Sequence, residues 1–174
     1  MKLFLDRIPS PIGTMVLVTD DRVVRALDFE DYEPRMHRLL RVHYGPCELE
    51  LQRERLGVRA AFDTYFAGGV RALDGIPVET NGTAFQRAVW QELRRIAPGT
   101  TMSYGGLALR LGAENGSRAV GSANGSNPIG IIVPCHRVIG SDGSLTGYAG
   151  GVSRKAWLLL HEGVAIAEPI PLPL

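Results

Sequence analysis

Asn127-Pro128-Ile129-Gly130-Ile131-Ile132-Val133-Pro134-Cys135-His136-Arg137-Val138-Ile139 sets the terms for the whole chain. An apolar run rich in β-branched residues ends at Pro134, and the next three side chains are a thiol, an imidazole and a guanidinium. The run reads as a buried strand that delivers Cys135 to a polar site. A thiol attacks only as thiolate, and a neighbouring imidazole or cation lowers its pKa, so Cys135 is a candidate nucleophile. A free cysteine can equally be a small buried hydrophobe. Neighbouring side chains of an extended chain point to opposite sides, which turns His136 away from Cys135. A bend or a water must then join them, with a carboxylate such as Glu162 orienting the ring.

On the N-terminal side of this stretch lie two short helical patterns. Ser103 can cap a helix over residues 104–111 that Gly112 ends, and Ser117 can cap one over 118–125. Two short helices joined by a glycine-containing turn read as helix-turn-helix, a shape used for DNA binding and also for plain packing. The second helix, Arg118-Ala119-Val120-Gly121-Ser122-Ala123-Asn124-Gly125, carries glycines that cost roughly 1 kcal/mol each, a cost tolerated where another backbone or a nucleic-acid groove comes close. Before these, Thr83 and Gln86 form a capping box for a helix whose apolar stripe is Phe85, Val89, Leu93 and Ile96. Beyond the cysteine, Gly147-Tyr148-Ala149-Gly150-Gly151 is a glycine-rich loop suited either to wrapping a ligand or to lying on the surface. A last helix follows, capped by Ser153, anchored by Trp157, Leu158 and Leu160, and ended by Gly163. The tail, residues 168–174, is rich in proline and reads as extended.

The first half differs in pattern. Strand-like runs over 2–8, 14–19 and 23–29 are joined by turn chemistry, which predicts an antiparallel meander. Pro34 opens a helix with Met36, Leu39, Leu40 and Tyr44 at helical spacing, and Arg35, Arg38 and Arg41 give it a solvated face. A second helix is expected over 50–67 and a short strand over 76–80. The expected architecture is a two-part α/β protein: an N-terminal antiparallel sheet with helices (1–81), then a mainly helical domain with the helix-turn-helix and the cysteine (82–174).

With 174 residues, 45% hydrophobic and 21% charged, the composition is that of a globular protein able to bury a core. No apolar run reaches the roughly 20 residues of a membrane span, and the N-terminus is not a signal peptide. Two cysteines, Cys47 and Cys135, fit a reduced compartment and cannot form a four-thiolate zinc site. A cytoplasmic protein with no membrane partner is expected. Residues 1–81 carry 11 basic and 13 acidic side chains, whereas 82–174 carry 8 and 5, an asymmetry that points the second half towards a polyanion.

Pro134-Cys135-His136-Arg137-Val138 resembles the active-site signature of the O6-alkylguanine-DNA alkyltransferases, also called methylated-DNA–protein-cysteine methyltransferases. The resemblance runs through Ser103-Tyr104, Arg118-Ala119-Val120-Gly121, Ala123-Asn124-Gly125-Ser126-Asn127-Pro128, Gly147-Tyr148-Ala149-Gly150-Gly151 and Trp157-Leu158-Leu159-Leu160-His161-Glu162-Gly163. It implies a single-turnover repair protein whose partner is double-stranded DNA containing O6-alkylguanine, with O4-alkylthymine as a further substrate. Cys135 would take the alkyl group, activated by His136 through a water, with Glu162 holding His136 and Asn127 the active-site turn. Tyr104 would crowd the phosphate and supply a proton. The helix-turn-helix would enter the minor groove through Ser103, Tyr104, Arg118, Ala119, Gly121, Ala123, Asn124 and Gly125, Arg118 filling the gap left by a flipped base. Pro134, Val138, Tyr148 and Ala149 would line the base pocket. The resemblance implies a monomer that needs no cofactor and leaves cooperative assembly along DNA open. Ligands for the N-terminal zinc of some larger members are not evident, so no metal is expected. It also predicts a bend at Cys135. Gly105-Gly106 and Ala149 depart from residues seen in other members.

Overall fold

Strands β1 (Lys2–Ile8), β2 (Met15–Thr19) and β3 (Val24–Phe29) form the expected antiparallel meander, with Phe4 opposite Thr19 and Met15 opposite Phe29. The β2–β3 corner is held by Asp20, whose carboxylate accepts from the amides of Arg22 and Val23. The computed structural model describes residues 1–166 and Leu172; the expected extended tail at 168–174 otherwise lies outside the described residues. Helix α1 (Glu33–Tyr44) follows a single 3-10 turn and begins with Pro34 in its first turn. Its Met36 and Leu40 pack with Leu3, Leu5, Val16, Val18 and Ala26, which alternation along the strands places on one face of the sheet. Arg35 is not merely solvated: its guanidinium donates to the buried Asp28 carboxylate at 2.8 Å.

The helix expected over 50–67 starts later than its spacing suggests, and its first two residues belong to a strand. Residues Glu48–Leu51 form β4, which pairs parallel with β1 and completes the sheet order β3-β2-β1-β4. Alternation of Glu48 and Glu50 with Leu49 and Leu51 is a period-two pattern that outweighs the helical spacing. Leu51 is 78% exposed on this edge strand. The helix itself, α2, spans Val58–Phe66. Glu54 starts it by accepting from the amides of Leu56, Val58 and Arg59, a substitute for an N-cap side chain. The short strand expected at 76–80 is reduced to one bridge, between Val78 and Val24.

The second unit opens with α3 (Ala84–Leu93), capped by the reciprocal Thr83 and Gln86 bonds that the sequence predicts. Phe85 does not join the stripe; it is 36% exposed, and Trp90 takes the buried position, its indole N–H donating to the Ala123 carbonyl at 2.8 Å. A two-residue strand β5 (Met102–Ser103) leads into α4 (Tyr104–Arg110), capped by Ser103, and then α5 (Ser117–Gly125). Ser117 is the first helical residue and not the cap; Gly116 holds that position. Strand β6 (Val138–Ile139) pairs parallel with β5, and α6 (Val152–His161) begins after Gly151 at φ 94° without a Ser153 cap. Leu158 and Leu159 are buried in α6, whereas Leu160, expected as an anchor, is 43% exposed. No helix of the described residues is long and apolar enough to cross a membrane.

The run before Cys135 is not a strand. The chain divides into one unit of Met1–Asn81 with Pro128–Ile132 and a second holding the remainder, so five residues of this run belong to the first unit. There Ile129 forms a single bridge with Leu27, whose amide donates to Pro128 and whose carbonyl accepts from Gly130. A tight turn follows, with Ile132 bonded back to Gly130 and Ile131 in the left-handed region at φ 65°. That conformation costs a β-branched residue about 1–3 kcal/mol. Burial of Ile131 offsets it, since a fully buried isoleucine contributes about 1.5–3 kcal/mol. Asn127 spans the stem of this excursion, its amide donating to the Val133 carbonyl at 2.8 Å, and both residues belong to the second unit. Asn127→Ala should therefore lower stability by about 1–3 kcal/mol in urea unfolding, the cost of a buried carbonyl stripped of this donor. A change within experimental error would mean that another group holds the stem.

Candidate active site

Cys135, His136 and Arg137 form a single 3-10 turn between Pro134 and Val138. The turn is short because its bonds are local, Cys135 to Val133 and Arg137 to Pro134, and because a proline at its head offers no amide. It removes the alternation of an extended strand. The turn ends in β6, which its parallel pairing with β5 places beside the start of α4.

Glu162, the residue immediately after α6, lies beneath this turn with its carboxylate fully buried. His136 Nε2 is 2.7 Å from Glu162 Oε1. Arg137 grips the same carboxylate with two N–H groups, Nε to Oε2 at 2.8 Å and Nη2 to Oε1 at 2.9 Å, and donates a third to the Ile96 carbonyl at 2.6 Å. Burial alone would raise the Glu162 pKa, but hydrogen bonds and charge from His136 and Arg137 outweigh it and hold it at about 2. Burial is also the largest influence on His136, and it lowers that pKa despite the opposing pull of Glu162. The imidazole is therefore neutral near pH 7. With an anion at Nε2, the proton resides on Nε2, and Nδ1 is left as an acceptor. Nδ1 is buried and has no hydrogen-bond partner among the described residues.

Lys155 is the residue that sequence reasoning passed over. It is fully buried, and its ammonium donates to the carbonyls of Val138 at 2.6 Å and of Thr146 and Gly147 at 3.3 Å. It fastens β6 to the loop that precedes the glycine-rich segment. Burial lowers its pKa to about 8. Arg137 was likewise read only as a flank of the cysteine. For Lys155 the sequence carries no signal, since it follows Ser153 and Arg154 at the start of a helix, where a lysine is nearly always solvated.

Tyr104, half-buried at the start of α4, donates its hydroxyl to the Thr146 carbonyl at 3.0 Å, and burial raises its pKa. Lys155 Nζ sits 5.9 Å from the centre of its ring. Tyr148 and Ala149 are half-buried in the loop, the Tyr148 ring meeting His136 edge-on at 6.5 Å. Pro134 and Val138, expected to line a base pocket, are buried, Val138 completely, and present almost no side-chain surface. On α5, Arg118, Ala119 and Gly125 are exposed, as is Ser122, which had not been singled out. Ser103 is only partly exposed and its hydroxyl is engaged as the cap of α4. Gly121 is half-buried, where an added Cβ would come 3.8 Å from the Tyr104 ring.

Ala123 and Asn124, expected on a DNA-facing surface, point inwards. Ala123 accepts from Trp90, and Asn124 donates to the Cys135 carbonyl at 3.3 Å. The reason is helical phase: these two residues sit three and four positions after Val120, which packs inside, and lie away from Arg118 and Ser122. Among the described residues no cluster of His, Cys, Asp and Glu is arranged to hold a metal ion.

Residues 84–164 match the family model of the 6-O-methylguanine DNA methyltransferase DNA-binding domain. The chain is 48% identical to the methylated-DNA–protein-cysteine methyltransferase of Salmonella typhimurium, over 94% of this chain and 97% of that one. It is 41% identical to the protein of the same name from Haemophilus influenzae, over 93% and 87%. Its fold superposes on the crystal structure of Mycobacterium tuberculosis OGT in complex with DNA with a TM-score of 0.76 at 39% identity, covering 91% of this chain and 92% of that one. The nearly full-length likeness extends across both units, and the chain belongs to the methylated-DNA–protein-cysteine methyltransferase family.

Proposed function

We propose that this DNA-repair methyltransferase acts on O6-alkylguanine in double-stranded DNA and moves the alkyl group irreversibly to Cys135. The observation that carries this reading is the turn that puts Cys135 next to a buried, neutral His136 whose Nε2 is committed to Glu162 and whose Nδ1 is available as a base. A water relays the thiol proton to Nδ1. The resulting thiolate attacks the alkyl carbon; a carbon–sulfur bond forms as the carbon–O6 bond breaks, and its electron pair passes to the guanine, which takes up a proton from Tyr104. Glu162 stabilises the imidazolium formed, and Arg137 keeps that carboxylate ionised. A thioether is a poor leaving group, so the protein acts once. O4-alkylthymine presents the same alkyl–oxygen bond and is a second substrate.

A base stacked in a duplex hides its O6 from the thiol and must be turned out of the helix. The exposed, small-residue face of α5, with Ala119, Ser122 and Gly125, suits close approach to a minor groove. Arg118, exposed on the same helix, fills the gap. Tyr148 and Ala149 flank the extruded base. Tyr104 must exchange its resting bond to Thr146 for the base. The protein binds as a monomer, needs no cofactor, and works in the cytoplasm.

Intact protein mixed with an oligonucleotide containing O6-methylguanine should gain a single methyl on the peptide holding Cys135, with no turnover in excess of protein. A mass that stays unchanged while the thiol is free, or continuous turnover, would overturn the proposal. Arg118→Ala should slow transfer from duplex DNA by about tenfold or more, given the few kcal/mol of unstacking it helps to offset, and should spare reaction with free O6-alkylguanine. Equal losses on both substrates would remove its role in extrusion.

Glu162→Gln leaves Arg137 without its counter-charge and should cost about 3–5 kcal/mol. The Glu162 pKa is lowered on folding, from 4.5 to about 2, so its contribution is complete above about pH 5 and fades as the pH falls towards 2. The stability gap between wild type and Glu162→Gln, followed by urea unfolding, should narrow over that window. A gap independent of pH there would contradict the ion-pair assignment.

A further inference from the structure

We infer that Asn124 is a positioning residue that ties the seating of α5 on DNA to the placement of the nucleophile, an inference resting on the alkyl-transfer function proposed for Cys135. Asn124 lies on α5 but turns away from that helix's exposed face, and its side-chain amide donates to the backbone carbonyl of Cys135 itself. Through that bond the helix that carries Arg118 reaches the residue that carries the thiol. A displacement of α5 is passed to the 3-10 turn through one side chain.

The other end of the amide adds a chemical role. Asn124 Oδ1 is buried and has no hydrogen-bond partner among the described residues, the same condition as His136 Nδ1. Both atoms are acceptors, and they belong to the side chain bonded to Cys135 and to the residue following it. A buried acceptor left without a donor loses the hydrogen bonds it had in water and is destabilising. One water has two hydrogens to give and a lone pair to receive, so a single molecule satisfies both acceptors and takes the thiol proton. Asn124 thereby holds the water that relays the thiol proton to Nδ1. No redox partner or co-reactant enters the step; the proton passes from sulfur to water as a water proton passes to Nδ1.

The experiment compares wild type, Asn124→Ala, Asn124→Ser and Asn124→Asp for binding to undamaged duplex, for transfer rate with O6-methylguanine duplex and with free O6-benzylguanine, and for the pH dependence of transfer. Asn124→Ala should bind duplex as wild type does yet transfer about tenfold or more slowly from both substrates, the scale of one lost hydrogen bond. Asn124→Ser, which keeps a small polar group, should recover part of the rate. Asn124→Asp sets a carboxylate against the Cys135 residue and should move the pH midpoint of transfer upwards, because a nearby anion disfavours the thiolate. Losses of binding and transfer in equal proportion would overturn the inference and return Asn124 to the DNA-contact surface. So would wild-type rates in Asn124→Ala, or an unshifted midpoint in Asn124→Asp. Where Asn124→Ala does not fold, judged by thermal unfolding, the Ser and Asp variants decide by the same criteria. Failure of wild type itself to gain a methyl at Cys135 would instead refute the alkyl-transfer proposal.

Discussion

The carboxylate of Glu162 is the group on which the rest of the second unit depends. An ionised carboxyl with no solvent exposure is expensive, and it persists here because three hydrogen bonds converge on it from two consecutive residues and because Arg137 supplies a full opposite charge. The arrangement divides labour. Arg137 neutralises, which leaves His136 free to remain uncharged while still anchored at Nε2. Had the histidine been the sole counter-ion, it would have been held protonated and unable to accept. The third Arg137 contact, to the carbonyl of Ile96, extends the same knot to the end of the segment that follows α3.

Around this anion the site is built from backbone carbonyls as much as from side chains. Lys155 collects three of them, Tyr104 and Lys155 share the one at Thr146, and Asn124 and Asn127 take those at Cys135 and Val133. Carbonyls dominate because the segments involved are turns and glycine-rich loops, whose polar groups lack partners within a helix or sheet. Buried donors on long or branched side chains fill that need. Rigidity in the active-site turn is therefore supplied from outside the turn.

Much of the fold was legible in the sequence where a local rule acts without competition. The three-strand meander followed from alternation and turn residues, α3 from the Thr83 and Gln86 capping box, and α4 from the Ser103 cap. Local rules failed where tertiary contacts chose between two patterns. Residues 48–51 carry both strand and helix spacing, and pairing with β1 selects the strand. The run before Cys135 has strand composition, yet its bonds to Leu27 and the left-handed Ile131 bend it. Side-chain phase on α5 was the costliest misjudgement: glycine and alanine offer no amphipathic contrast, so Ala123 and Asn124 could not be told from Ala119 and Ser122. Lys155 was missed for another reason. A lysine at the start of a helix is nearly always solvated, and only its three carbonyl partners reveal otherwise.

Glu162 lies 26 residues downstream of its histidine. A ribosome makes the Pro134-to-Val138 segment well before the carboxylate that organises it, and α6 must dock before His136 has its anchor. A nascent chain, or a fragment cut within α6, thus carries the entire cysteine signature while its imidazole lacks an oriented tautomer and its Arg137 lacks a counter-ion. Anchoring of His136 therefore waits on synthesis through Glu162, a delay enforced by nothing more than the order of residues along the chain.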